Sequence, residues 1–307
     1  MRGFVIGTRG SALALRQTQI VQAKLQARFP DQRFTVQTIQ AQADQDPELP
    51  LTMMSGEGVF VKALETSLAE RWIDLAVHSL KDLPLDSPPS LRIAAVLARD
   101  EPWDALVSRD RATLHQLPPG SRVGTSSLRR QSQLLHSRQD LQLLPIRGNI
   151  DTRLRKLDQG QYDAIVVASC GLMRLGLQER IAERLDVSIM LPEPGQGALA
   201  VEARAGDHEA LKMLAELDDA GSRSCVDAER AFLRALGGGC HVPIAAYASR
   251  NGETLELQGA VIAVDGTKRL TATMRAPATD AMALGARLAQ HLISQGAKEL
   301  LVLRNAG

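Results

Sequence analysis

The chain reads as an α/β protein that closes with a smaller α+β module. One observation predicts the α/β part. Short apolar runs of strand length alternate with amphipathic stretches of helical length as far as about residue 190. Strands separated by helices belong to parallel sheets covered on both faces. A second observation marks the module: after Ala220 the pattern becomes a helix, alternating strands and a closing helix. With 307 residues and 44% hydrophobic content the chain can bury a substantial core, and two or three domains are expected.

Taken in order, Phe4–Ile6 is the first strand and Ser11 to about Ala27 the first helix. Phe34–Ile39 is a strand, followed by a proline-broken loop over Asp44–Gly58 that is a candidate lid, and by a helix over Val59–Glu70. Ile73–His78 and Ile93–Leu97 are strands. Arg99–Trp103, charged and broken by Pro102, is the first boundary. Beyond it Arg122–Gly124 leads to a helix over Ser127–Leu135, Leu143–Ile146 to a helix over Thr152–Leu157, and Ala164–Ala168 is a further strand. Leu191–Gly197, rich in proline and glycine, is the second boundary. The last module holds a helix over Val226–Leu236, strands over Leu255–Val264 and Lys268–Ala276, and a helix over Ala281–Gln295.

Composition excludes several classes. A formal net charge of +1 provides no global field to recruit nucleic acid or an anionic membrane. Three cysteines without CxxC spacing indicate neither a disulfide framework nor a metal site. The N-terminus runs straight into a strand-like segment without a signal-type apolar stretch, so a soluble, cytoplasmic protein is expected. The basic residues are 29 Arg against 7 Lys. Codon bias accounts for such an excess, and so does a need to grip carboxylates bidentately.

Ligands of open α/β sheets bind beyond the carboxyl ends of strands. Polar clusters fall there at Gly7-Thr8-Arg9, His78 to Asp82, Gly124 to Arg130 and Arg147-Gly148-Asn149, which implies a cleft between two α/β units. Thr125, Ser126 and Ser127 can cap a helix and face an anion. Arg129 and Arg130, about 100° apart on that helix, diverge toward two carboxylates or opposite sides of one ligand. A capped surface helix with solvated arginines has the same pattern. Of Arg153 and Arg155, which point to opposite faces, Arg153 is the candidate ligand contact. Lys81-Asp82 fits a general acid/base beside its counter-ion or, on spacing alone, a solvated surface pair. His78 reads as structural. Cys240 follows the run Gly237-Gly238-Gly239, where backbone and ligand can approach closely, and it is either a functional thiol or part of a turn. Cys170 reads as a small core side chain.

Together these segments resemble the porphobilinogen deaminase (hydroxymethylbilane synthase) family. The resemblance rests on Ile6 to Leu15, Ala76 to Pro84, Val123 to Arg130, Arg147-Gly148-Asn149, Leu191-Pro192 with Gly195 to Ala198, Ala228 to Ala231, and Gly239 to Pro243, in order through essentially the whole chain. It implies an enzyme that deaminates four porphobilinogen molecules and joins them head to tail on a covalent dipyrromethane primer, releasing hydroxymethylbilane. It further implies two periplasmic-binding-protein-like α/β domains joined by a hinge, 1–98 with 198–217 and 103–192, and a cofactor-bearing α+β domain over 220–307. By the same resemblance Cys240 holds the dipyrromethane through a thioether and Asp82 is the catalytic carboxylate. Lys81, Thr125, Ser126, Ser127, Arg129, Arg130 and Arg147 hold the cofactor. Arg9, Ser11, Arg147, Arg153 and Gln196 bind substrate. No metal and no partner beyond porphobilinogen are implied, and a monomer is expected. Val5, Met53 and Glu57 stand where members of the family carry basic residues, a loss of positive charge. One rival, a two-lobed solute-binding protein for a small carboxylate, leaves Asp82 and Cys240 without a task. The other, a ligand-sensing domain of a transcriptional regulator, calls for a helix-turn-helix segment that the sequence does not display.

Overall fold

The computed structural model describes residues 2–39, 59–238 and 242–301, so the candidate lid over Asp44–Gly58, Met53, Glu57 and the candidate thiol Cys240 lie outside the described residues. The chain forms two compact units, one of residues 1–100 and 197–223, the other of 101–196 and 224–307.

The first unit begins with β1 (Phe4–Thr8), α1 (Ala12–Arg28), β2 (Phe34–Thr38), α2 (Val59–Ala69), β3 (Leu75–Ser79), a 3-10 turn (Leu80–Asp82) and β4 (Leu91–Val96). Helix α1 starts where Ser11 accepts the Ala14 N–H at 3.3 Å, contains neither glycine nor proline, and stops before Pro30. Its inward face is Gln17, Thr18, Val21 and Leu25. The second unit continues with β5 (Asp104–Ser108), β6 (Arg122–Gly124), α3 (Leu128–Ser137), β7 (Gln142–Leu144), α4 (Ile150–Asp158), β8 (Ala164–Ala168), α5 (Ser169–Arg174) and β9 (Glu183–Arg184). The chain then re-enters the first unit as β10 (Leu199–Arg204) and α6 (His208–Ala215). Helix α7 (Ala220–Ala235), β11 (Ile244–Asn251), β12 (Thr254–Ile262), β13 (Arg269–Pro277), α8 (Ala281–Ser294) and α9 (Ala297–Leu301) complete the chain, which from residue 224 onward belongs to the second unit.

Each unit holds a five-stranded sheet built to one plan, in the orders β2-β1-β3-β10-β4 and β7-β6-β8-β5-β9. The α/β expectation stands, with one correction: neither sheet is purely parallel. Strand β10 is antiparallel to β3 and β4, and β5 is antiparallel to β8 and β9. Both are strands by which the chain enters a unit from the other, so no local crossover helix sets their direction. Their apolar runs are buried throughout, as suits a sheet covered on both faces.

In the C-terminal part, β11-β12-β13 form an antiparallel sheet whose inner face packs on α7 and α8 around Phe232, Leu255, Leu257, Leu284, Leu288 and Leu292. Burying Phe232 completely contributes about 2–3 kcal/mol. The helices approach so closely that a Cβ at Gly285 would lie 2.2 Å from the Ala228 carbonyl oxygen, so only glycine fits there. Glu229, fully buried on α7, accepts the N–H groups of Gly195 and Ala248 at 2.7 Å each. That carboxylate ties β11 to the segment running toward Gln196. The His136 ring nitrogen meets the Gly266 carbonyl at 2.8 Å, a second tie within the same unit.

Candidate active site

Strands β1 and β3 are parallel neighbours, so their carboxyl ends share one edge of the first sheet. The structure therefore brings Arg9 and Ser11, just past β1, to the same edge as Lys81 and Asp82, just past β3. Ser11 is occupied as the cap of α1. Asp82 is exposed and Lys81 half-buried. The turn that carries them is fixed by its apolar flanks, since Leu80 and Leu83 are buried and the Leu80 N–H donates to the Ala198 carbonyl at 3.0 Å. Gln17 on α1 holds the Ser79 hydroxyl at 2.9 Å. A rigid base presenting an exposed carboxylate is a suitable support for proton transfer. Val5 sits in β1, with its N–H on Asp74 at 3.0 Å and its side chain against the Leu64, Leu68 and Ile73 cluster.

In the second unit β6 is parallel to both β7 and β8, so Thr125 to Arg130 and Arg147 lie at one edge. The hydroxyl residues build this edge. Ser127 caps α3, accepting the Arg130 N–H at 3.4 Å, and Thr125 accepts the Ser127 N–H at 3.3 Å. The Ser126 hydroxyl donates to the Ile146 carbonyl at 2.9 Å and accepts the Ile146 N–H at 3.0 Å, which fixes the exit of β7 just ahead of Arg147. Gly148 takes φ +103°, a region closed to most side chains, and its carbonyl receives Nε of Arg153 at 2.8 Å. Asn149 occupies the cap position of α4 without a side-chain cap bond. Arg155 is exposed and lies 3.4 Å from the Thr152 hydroxyl.

The two neighbouring arginines depart from the expected divergence. Both are buried, and both converge on Asp104. Arg129 Nη1 lies 2.8 Å from Asp104 Oδ2, while Arg130 places Nη2 at 2.7 Å and Nε at 2.9 Å from Oδ1. The roughly 100° helical offset is overcome because long guanidinium stems can swing inward to a fully buried carboxylate. Gln196 joins them, donating from Nε2 to the Pro102 carbonyl at 2.6 Å and to Asp104 Oδ1 at 3.2 Å. Arg129 also holds the Leu191 carbonyl at 2.7 Å.

The charges do not balance. Arg153 is half-buried and close enough to Arg130 to be repelled by it. Burial first, and Arg130 second, push its guanidinium down to about 10 despite an opposing pull from Tyr162. Among the described residues no second carboxylate pairs with Arg129, Arg130 or Arg153. Two guanidiniums on one carboxylate, with a third repelled by Arg130, leave a local positive excess among the described residues, which an anionic ligand would relieve. Such a site fits a cofactor and substrate that carry several carboxylates. Sequence reading passed over Asp104, whose signal was an acidic residue opening the apolar run Asp104-Ala105-Leu106-Val107. Among the described residues no cluster of three or more metal-ligating side chains occurs, and no helix is long and apolar enough to cross a membrane.

Comparison with known proteins identifies the family. Residues 4–212 match the family model described as porphobilinogen deaminase, dipyromethane cofactor binding domain, and residues 223–294 match the porphobilinogen deaminase C-terminal domain. The chain is 47% identical to the porphobilinogen deaminase of Syntrophotalea carbinolica over 96% of its own length and 94% of that protein's. It is 48% identical to the porphobilinogen deaminase of Desulforudis audaxviator over 100% of its length and 99% of the relative's. Among solved structures it is similar to the methionine-binding protein MetQ, with 14% identity, a TM-score of 0.45, and coverage of 70% of this chain and 89% of that one. The chain belongs to the porphobilinogen deaminase family, the transferases that use a dipyrromethane cofactor to polymerise porphobilinogen into hydroxymethylbilane for tetrapyrrole biosynthesis.

Proposed function

We propose that this chain performs the family reaction as a cytoplasmic monomer of three domains, 1–98 with 198–217, 103–192 and 220–307, with Asp82 as its catalytic carboxylate and Cys240 as the cofactor anchor. The observation that supports the site assignment is the excess, among the described residues, of the guanidiniums of Arg129, Arg130 and Arg153 over the one carboxylate of Asp104. Acetate and propionate groups of the bound pyrroles supply the missing negative charge.

The dipyrromethane, when bound, supplies a carboxylate-bearing primer for chain growth. Arg129, Arg130, Arg147 and Lys81 neutralise its carboxylates. The Ser127 hydroxyl, whose oxygen accepts the Arg130 N–H, keeps its proton for donation. Thr125 and Ser126 shape the same edge through their internal bonds. Arg9, Arg147 and Arg153 receive the incoming monomer's carboxylates, Ser11 sets the start of α1 beside Arg9, and Gln196 acts through Asp104. Asp82, exposed on its anchored turn, stabilises positive charge on the reacting pyrrole and moves the proton as ammonia departs.

Intact mass spectrometry tests the assignment. The purified protein should carry a dipyrrole adduct that the Cys240→Ser variant lacks. An adduct that persists in that variant would place the anchor elsewhere.

A further inference from the structure

Three titratable side chains of the first unit have no part in the roles assigned above. His78 on β3 and Glu202 on β10 are 6% and 0% exposed, with Nε2 and Oε2 3.1 Å apart, an ion-pair contact rather than an aligned hydrogen bond. Glu65 on α2 faces them, its carboxyl raised first by burial and then by Glu202, against the opposing pull of His78 and Lys62. A fully buried carboxylate is costly unless its partners are well placed. The partners of Glu202 supply the reason for its position.

Its second oxygen, Oε1, lies 3.4 Å from the Ser87 hydroxyl, a long contact from the far side of the turn. His78 precedes Asp82 by four residues and Ser87 follows it by five. One carboxylate therefore touches both the strand entering the Lys81-Asp82 turn and the segment leaving it. On the entry side the backbone ladder is complete, with Ala200 opposite His78, Leu199 opposite Ser79, and the Leu80 N–H on Ala198. On the exit side Ser87 is where the segment meets a side chain of β10. Asp82, exposed at the end of a three-residue 3-10 turn, lies between those two ends.

We infer that Glu202 is a positioning residue of the reaction, clamping entry and exit of the Lys81-Asp82 turn through His78 and Ser87. The inference rests on the assignment of proton transfer to Asp82. A misplacement of about 1 Å can cost on the order of 100-fold in rate, so a clamp of this kind acts on kcat more than on KM.

The lightest perturbation is Ser87→Ala, which removes a half-buried hydroxyl and no packed volume of consequence. With porphobilinogen as substrate, kcat should fall about 5- to 10-fold, with KM within about twofold and a thermal midpoint within about 2 °C of the parent. Ser87→Thr, which keeps the hydroxyl, should restore at least about half the rate. Glu202→Gln should lower kcat in the same sense, and combining it with Ser87→Ala should cost less than the product of the two single effects. A parental kcat in Ser87→Ala, or equal impairment in the alanine and threonine variants, overturns the clamp even if Glu202→Gln does not fold. Asp82→Asn, assayed in parallel, separates the two levels. Retained turnover there removes the assignment beneath the inference, whereas lost turnover with a normal Ser87→Ala removes the clamp alone.

Discussion

Arg153→Met should stabilise the ligand-free protein while impairing its reaction. The guanidinium is held at about 10, well below its ordinary value, by burial and by Arg130. Because the folded value lies below the unfolded one, the charge opposes folding at every pH below about 10, and the penalty is relieved only as pH rises above that value. A lowering of about 2.5 pH units corresponds to roughly 3 kcal/mol, and partial exposure of the side chain reduces this to about 2 kcal/mol. Methionine keeps most of the stem's packing but loses the 2.8 Å bond from Nε to the Gly148 carbonyl, worth about 1 kcal/mol and partly replaced by water at that exposed glycine. The net gain is about 1 kcal/mol, or about 2–4 °C in thermal midpoint for a domain of this size. Loss of a charge-assisted bond to a substrate carboxylate costs about 1.5–3 kcal/mol, which lowers kcat/KM roughly 10- to 150-fold. The assay pairs differential scanning of adduct-free protein with steady-state kinetics on porphobilinogen. A lower midpoint with unchanged kcat/KM would refute the reasoning, because it would mean that Arg153 serves the fold rather than an anion.

Asp104→Asn should do the opposite to stability: removing the buried carboxylate from between Arg129 and Arg130 costs about 3–5 kcal/mol, visible as a denaturation midpoint that drops well outside error. A change below about 1 kcal/mol would mean the two arginines are compensated by other means. Asp82→Asn should leave the thermal midpoint within about 1–2 °C, since the side chain is exposed, while kcat falls by at least about 100-fold. Asp207 concerns acid stability: burial alone would raise its carboxyl, but Arg2, the Ala210 N–H and Arg204 outweigh it and hold it at about 2. With the folded value depressed, its contribution is present above about pH 4 and is lost as pH falls toward 2. Asp207→Asn should therefore cost about 1–2 kcal/mol at neutral pH and flatten the acid limb of a stability–pH curve; an unaltered limb would argue against the assignment.

The alternation of apolar runs and helical stretches was legible because burial on two faces leaves a near-continuous apolar signature, as at Ala164–Ala168, whose observed strand has the expected bounds. Helix α1 was legible from its Ser11 cap and its proline stop, both local signals. Strands β5 and β10 escaped notice. Each is a short apolar run that pairs only with segments far away in the chain, so nothing nearby marks it as a strand. The short helices α5 and α6 and strand β11 were missed as well.

At the site, sequence alone determined which chemistry is present: arginines and hydroxyls beyond strand ends, and a Lys-Asp pair after β3, because these are properties of residue type and local spacing. Tertiary structure decided how the charges combine. That Arg129 and Arg130 share Asp104, that Arg153 stands beside Arg130 with no carboxylate partner among the described residues, and that Glu202 joins His78 to Ser87 all depend on residues 23 to 124 positions apart being brought close together. Coulomb energy depends on distance and burial rather than on sequence separation. Only the packed sheets could turn a list of arginines into an anion site.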